Sequence, residues 1–178
     1  MSMQTDFPYF LPLIINVLRY FLFAGGAFLI CYTLFPKFFC ASKIQSRLVN
    51  KKAFVRDIGH SLQTTVILSL VGFLFLKTPL KYTTQIYYEL SDYAWWWLPL
   101  SVLLSLILHD TYFYWMHRAL HQPKLFKVIH LLHHRSANPS PWTSYSFSIL
   151  EAFLEAMIAP LILILIPIHP IALMIFTS

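Results

Sequence analysis

Four apolar stretches organise the chain. The first, residues 9–35, is interrupted by Asn16 and Arg19. The second, residues 61–76, is short. The third, residues 94–116, extends roughly 34 Å as a helix, enough for a bilayer core of about 30 Å. The fourth, residues 149–178, contains Pro160, Pro167 and Pro170. Prolines remove helix hydrogen bonds, so this stretch predicts broken half-helices and not one straight rod. The pattern predicts an all-α integral membrane protein with about four hydrophobic helical units. No internal repeat, low-complexity tract or soluble domain interrupts it.

Composition agrees. The chain of 178 residues is 58% hydrophobic and 17% aromatic, and only 11% of its residues are charged, against roughly 25% in a soluble domain. The net charge of +6 and pI near 9.4 do not indicate nucleic acid, because no basic stripe with interleaved aromatics stands free of the spans. The lysines and arginines instead read as topology signals. Residues 36–57 carry Lys37, Lys43, Arg47, Lys51, Lys52 and Arg56, and residues 117–148 carry Arg118, Lys124, Lys127 and Arg135. The loop between the second and third stretches carries only Lys77 and Lys81, with Glu89 and Asp92, and its residues 78–93 are expected on the side opposite these two segments. The positive-inside rule puts both basic segments on the cytoplasmic side, of a bacterial inner membrane or the endoplasmic reticulum, in a multi-pass topology.

The remaining local signals are structural. The start lacks a basic n-region and a cleavage site, so the first apolar stretch is expected to be retained as a span. Cys31 and Cys40 form neither a disulfide framework nor a metal site. Trp95, Trp96 and Trp97 open the third stretch and read as an interfacial belt. A substrate-stacking surface is the rival reading.

The candidate chemistry lies in one short segment. Five of the eight histidines fall between His117 and His134. The third helix is expected to continue to His121, where Pro123 ends it. His117 and His121, spaced i, i+4, then share one helix face. Asp110 and Tyr114 lie on about the same stripe. A second short helix over residues 124–135 carries His130, His133 and His134, which the i, i+3, i+4 spacing puts on one face. The two helices form a hairpin whose imidazoles can meet. Imidazole binds iron, zinc, copper and nickel. Five histidines exceed one zinc site, which favours two metals. The pattern lacks the glutamate of H-E-x-x-H, since Arg118 follows His117, so a zinc protease loses its general base. Lipid-headgroup binding is the bland alternative. His60 and His169 read as structural. His109, about 12 Å above His117, is a secondary candidate ligand.

"HDTYFYWMHRALH", "HLLHHRSANPSPWTSYSF" and "LEAFLEA" together resemble the fatty acid hydroxylase and sterol desaturase superfamily, over roughly residues 100–178. The family's H-x-x-x-H box matches His117 and His121, and its H-x-x-H-H box matches His130, His133 and His134. Its D-x-x-x-Y-x-x-H-R pattern matches Asp110, Tyr114, His117 and Arg118. Asn138, Pro139 and Trp142 fit the segment after the second box. There are departures. Ser148 stands where the family usually has histidine, and the family's third H-x-x-H-H box is absent. The chain ends at Ser178 inside an apolar stretch, which reads as a fragment.

The resemblance implies a non-haem di-iron site held by the five histidines, with His109 as a further candidate, and O2-dependent hydroxylation or desaturation of a membrane lipid. Asp110, Tyr114 and Asn138 are the candidates for supporting the ligands. No flavin or nicotinamide motif appears, so the electron donor is expected to be separate, such as cytochrome b5 or ferredoxin with its reductase. Residues 1–98 would form the membrane-anchoring region, and residues 99–178 the first part of the hydroxylase-like domain. Two other classes compete. A membrane metal transporter or sensor would place ligands near the bilayer midplane, and a non-catalytic relic would hold no metal.

Overall fold

The computed structural model describes residues 10–40, 51–136 and 138–177. Helix α1, Leu11–Phe28, continues through a π-helical turn, Leu29–Leu34. The short α2, Pro36–Cys40, follows. Helix α3 spans Lys51–Lys77. It is longer than the second apolar stretch because the end of the basic loop joins it. Lys43 and Arg47 of that loop lie outside the described residues. Helix α4 spans Trp97–Leu120. The hairpin after it is built from α5 (Pro123–Leu125), a π-helical turn (Phe126–His130) and α6 (Leu131–His134). The fourth apolar stretch is three short helices, α7 (Ile149–Ala156), α8 (Ile158–Leu165) and α9 (Pro170–Thr177). Pro160 has no N–H for the carbonyl of Ala156, which accounts for the break at Met157. Pro170 opens α9, where its missing N–H costs nothing. Among the described residues, strand pairing is limited to one bridge between Ile86 and Ile168.

Two helices are long and apolar enough to cross a membrane, Leu11–Leu34 and Lys51–Lys77. Their packing is inverted relative to a soluble protein. Leu18, Leu22 and Phe23 of α1 point outward, as do Val66 and Leu70 of α3. Ser61, Thr64, Thr65 and Ser69 of α3 and Ser101 and Ser105 of α4 are buried. Small hydroxyl residues let helix backbones approach closely, the packing mode of helices in lipid. Four of these hydroxyls are satisfied by their own helix: Thr65 donates to the carbonyl of Ser61, Ser69 to that of Thr65, Ser101 to that of Leu98 and Ser105 to that of Ser101.

A second, apolar core lies where the broken helices fold back. Ile162, Leu163, Ile166, Ile168 and Ala172 pack against Leu98, Val102 and Leu108 of α4. Residues 84–88 brace the break: Ile168 N–H donates to Gln85 O, and Tyr87 N–H to Ile168 O. His169 bonds the carbonyl of Tyr88 through Nε2 and accepts from the N–H of Ile171 at Nδ1, so both ring nitrogens are used structurally. Trp97 Nε1–H donates to Pro167 O at 2.9 Å. The tryptophan trio therefore divides. Trp95 and Trp96 are exposed, as a belt requires, and Trp97 secures the fold.

The loop after the hairpin is clasped by α1 and α3. The carbonyl of Trp142 accepts from the Tyr20 hydroxyl at 2.9 Å and the Ser61 hydroxyl at 3.0 Å. The indole packs edge-on against Tyr20 and Phe21. It crosses α1 at Gly25, where an added Cβ would stand 3.3 Å from the ring. Nearby, buried Asp57 holds Arg56 at 2.9 Å and accepts from the Ser136 hydroxyl at 3.0 Å. Trp142→Ala should destabilise the detergent-solubilised protein by roughly 2 to 3 kcal/mol, less than a fully buried tryptophan would, because this ring is half-buried. Equilibrium unfolding measures the loss. Phe38→Ala, at a side chain 75% exposed, should leave stability unchanged.

Candidate metal centre

The last turn of α4 carries His117 and His121 one helical turn apart. Their Nε2 atoms lie 3.1 Å apart. Gln122 is extended, as a residue before proline prefers, so α4 stops and Pro123 starts the return segment. The π-helical turn then delivers His130 into the interior, where it is fully buried. Its ring centroid lies 4.7 Å from His117, 4.8 Å from His121 and 4.7 Å from His134. His134 stands 5.1 Å from His121.

His133 is placed differently. Its ring stacks on His130 at 5.4 Å and lies 5.2 Å from Phe147. Adjacent helical residues diverge by about 100°, so His133 and His134 do not point alike. His130 and His134 meet the α4 histidines, and His133 forms the flank. A cavity of about 420 Å³ lies against His133 and His134, lined further by Ser136, Ser140, Thr143 and Ser144.

The donor set fits a transition-metal ion. The ligand atoms of His117, His121 and His130 all lie within 4.8 Å of one another. Two nitrogens bound to one ion at 2.0–2.1 Å stand roughly 2.9–3.4 Å apart, which the His117–His121 pair already matches. His130 Nε2 and His133 Nδ1 are buried without a hydrogen-bond partner among the described residues. Metals bind neutral imidazole. Burial, reinforced by the neighbouring imidazoles, pushes His130 down to about 4. Burial also lowers His133.

One residue outside the histidine boxes enters the site. Glu151 Oε1 of α7 lies 2.6 Å from His130 Nδ1, and both side chains are 1% exposed. In the sequence this residue stands in "SYSFSILEA", at the acid of the F-H-P-x-E pattern of the resembled family, and no role is assigned to it there. The signal that could have singled it out is an acid inside an apolar stretch. Ser148 caps α7, accepting from the N–H of Glu151, so the serine at the family's histidine position starts the helix that carries the carboxylate.

The structure does not bring Asp110 or Tyr114 to the cluster. Asp110 is 85% exposed and pairs with His109 Nδ1 at 3.1 Å. Tyr114 is exposed and accepts from Arg118 at 2.9 Å. Tyr114, three residues before His117, is turned about 60° from it around the helix, and Asp110, seven residues before, stands about 10 Å away along the axis. Asn138 is half-buried in the loop beyond the hairpin. His109 reaches the site only through a stack, lying 6.2 Å from Phe113, which lies 5.5 Å from His117.

Residues 102–178 match the family described as fatty acid hydroxylase. The chain is 28% identical over 102 residues to a Delta(7)-sterol 5(6)-desaturase of Aspergillus fumigatus, covering 57% of this chain and 32% of that protein. It is 26% identical over 107 residues to one of Gibberella zeae, covering 60% and 33%. It is 27% identical over 123 residues to lathosterol oxidase of Rattus norvegicus, covering 68% and 41%. The chain thus spans between about a third and two fifths of the length of these relatives. No solved structure matches the chain.

In the metal-free protein, the ring resonances of His130 should stay unshifted between about pH 7 and pH 5.5. The lowered pKa keeps the neutral form to lower pH, whereas a free imidazole with pKa about 6.5 is about nine-tenths protonated at pH 5.5. Histidine-selective NMR reads this directly, and titration of His130 near pH 6.5 would contradict the buried placement.

Proposed function

We propose, from the match of residues 102–178 to the family described as fatty acid hydroxylase and the similarity to sterol desaturases and lathosterol oxidase, that the chain carries part of a membrane-bound oxygenase or desaturase acting on a lipid C–H bond. The observation that carries this reading is the convergence of His117, His121 and His130 ligand atoms within 4.8 Å at the end of a long helix. These three, with His134 and His133 beside them, would hold iron; five imidazoles are more than one ion needs. Iron, when bound, supplies O2 activation and attack on an unactivated C–H bond.

The chain's own residues would orient and exclude. Burial of His130 keeps bulk water from the inner ligand. The cavity beside His133 and His134 carries the hydroxyls of Ser136, Ser140, Thr143 and Ser144 on a lining that is mostly apolar. The lipid would arrive through it or along the apolar face of α4, past Phe113. Two relatives carry sterol desaturase in their names and a third lathosterol oxidase, so a sterol is the first substrate to test. Hydroxylation and desaturation both fit the site. A separate carrier such as cytochrome b5 or ferredoxin would deliver electrons.

Residues 1–98 would anchor the domain, with α4 as a further span. The contacts of Arg56 and Asp57 with Ser136 support one side for both basic segments. That side would be cytoplasmic. The opposite end, residues 78–93, would face away from it. A cysteine introduced at Ser136 should react with an impermeant maleimide only from the cytoplasmic face, and one at Lys81 only from the other. The reverse labelling would invert the topology.

Protein purified in detergent with iron(II) should retain iron by elemental analysis, with zinc measured alongside. His121→Ala and His130→Ala should each lose most of it, at least tenfold in occupancy. Membranes supplied with a sterol, O2 and reductant should yield a product with one added oxygen or two fewer hydrogens by mass spectrometry. A well-folded, iron-free wild type would sink the metal-centre reading.

A further inference from the structure

The α7 carboxylate is the one acidic group in contact with the histidine cluster among the described residues, and neither histidine box contains it. Glu151 is 1% exposed, on a helix whose neighbours are Leu150, Ala152 and Phe153. An acid is expensive in such surroundings unless it is paired. Its Oε1 is paired with His130 Nδ1 at 2.6 Å. Its Oε2 has no hydrogen-bond partner among the described residues, and neither has His130 Nε2 on the far side of the ring. Among the described residues no lysine or arginine is paired with it. The imidazole is thus gripped at one nitrogen, and the other faces His117, His121 and His134.

We propose that Glu151 is a positioning residue for the metal: it fixes the ring of His130 so that Nε2 is the ligand atom, and its charge offsets part of the charge of a bound cation. This rests on the metal-centre reading above. The geometry is that of a carboxylate–histidine–metal relay, in which an outer carboxylate orients the ligand and raises its basicity. An ion bound only by neutral imidazoles brings its full positive charge into a buried site. Glu151 is the group placed to answer it, through a ring and not by direct coordination. The rigidity of the arrangement comes from α7. Ser148 caps its first turn, and the Tyr112 hydroxyl of α4 donates to the Leu154 carbonyl at 2.6 Å. The helix carrying Glu151 is therefore tied to the helix carrying His117 and His121.

The test uses the whole chain and cobalt(II) as the probe. Affinity is read by chelator competition and geometry by the visible absorption of the bound ion. Glu151→Gln preserves the shape and removes the carboxyl that a bound cation would hold ionised. It should weaken cobalt binding by about 10- to 100-fold and shift the absorption bands, with helical content unchanged. Phe153→Ala, at an exposed position of the same helix, should bind as wild type. In a His130→Ala background, Glu151→Gln should cost nothing further, because its effect passes through that ring. Glu151→Asp, which keeps the carboxyl and shortens the reach, is the second variant and should fall between. Wild-type affinity in Glu151→Gln would overturn the proposal.

A readout without metal separates this proposal from the reading it rests on. In the metal-free protein, the Nδ1 resonance of His130 should move on Glu151→Gln while those of His133 and His134 stay. An unmoved Nδ1 overturns the positioning role, even if cobalt binds. A moved Nδ1 in a wild type that binds no cobalt upholds the grip on the ring and sinks the metal centre.

Discussion

The carbonyl of Trp142 holds the molecule together. Two hydroxyls from two long helices converge on this single oxygen, one from Tyr20 and one from Ser61. A backbone carbonyl left bare in an apolar interior is costly, and here it receives both of its bonds from side chains distant in sequence. The indole of the same residue fills the space that Gly25 leaves open. The loop beyond the hairpin is thereby located against α1 and α3. The Asp57–Ser136 contact adds a second tie at the hairpin's end. These ties join the histidine hairpin to α1 and α3, beside its attachment to α4 and, through His130 and Glu151, to α7.

The helices were largely legible because apolar run length and proline position are local properties. Residues 9–35 gave α1 with its π-helical extension, and the prolines at 160, 167 and 170 gave the breaks among α7, α8 and α9. The beginning of α3 was not legible from apolarity. Lys51, Lys52 and Arg56 are poor members of a span but good members of a helix, and the helix extends through them. The inward turn of Trp97 was equally invisible, since it depends on a carbonyl 70 residues away.

The candidate site was legible where spacing decides geometry. His117 and His121 sit one turn apart on a regular helix, and they meet. It was less legible where the backbone departs from the α-helix. The π-helical turn before His130 sets that ring's direction, and no residue pattern announces it. Glu151 escaped for a different reason. It stands 21 residues beyond His130 on another helix, and side-chain pairing over that distance follows from the fold and not from a motif.

The hydroxyl-bearing face of α3 has a consequence for how the protein is made. Domains and spans emerge from the ribosome in chain order, so α1 and α3 exist before residues 142–156 do. The partner of Tyr20 lies 122 residues downstream and that of Ser61 lies 81 downstream. Contacts of such separation close late. Until they close, Ser61, Thr64 and Thr65 present a small, polar surface to whatever surrounds the nascent bundle. Biogenesis thus includes an interval in which the first two helices wait with their best packing face uncovered, and the site cannot be assembled until that face is closed.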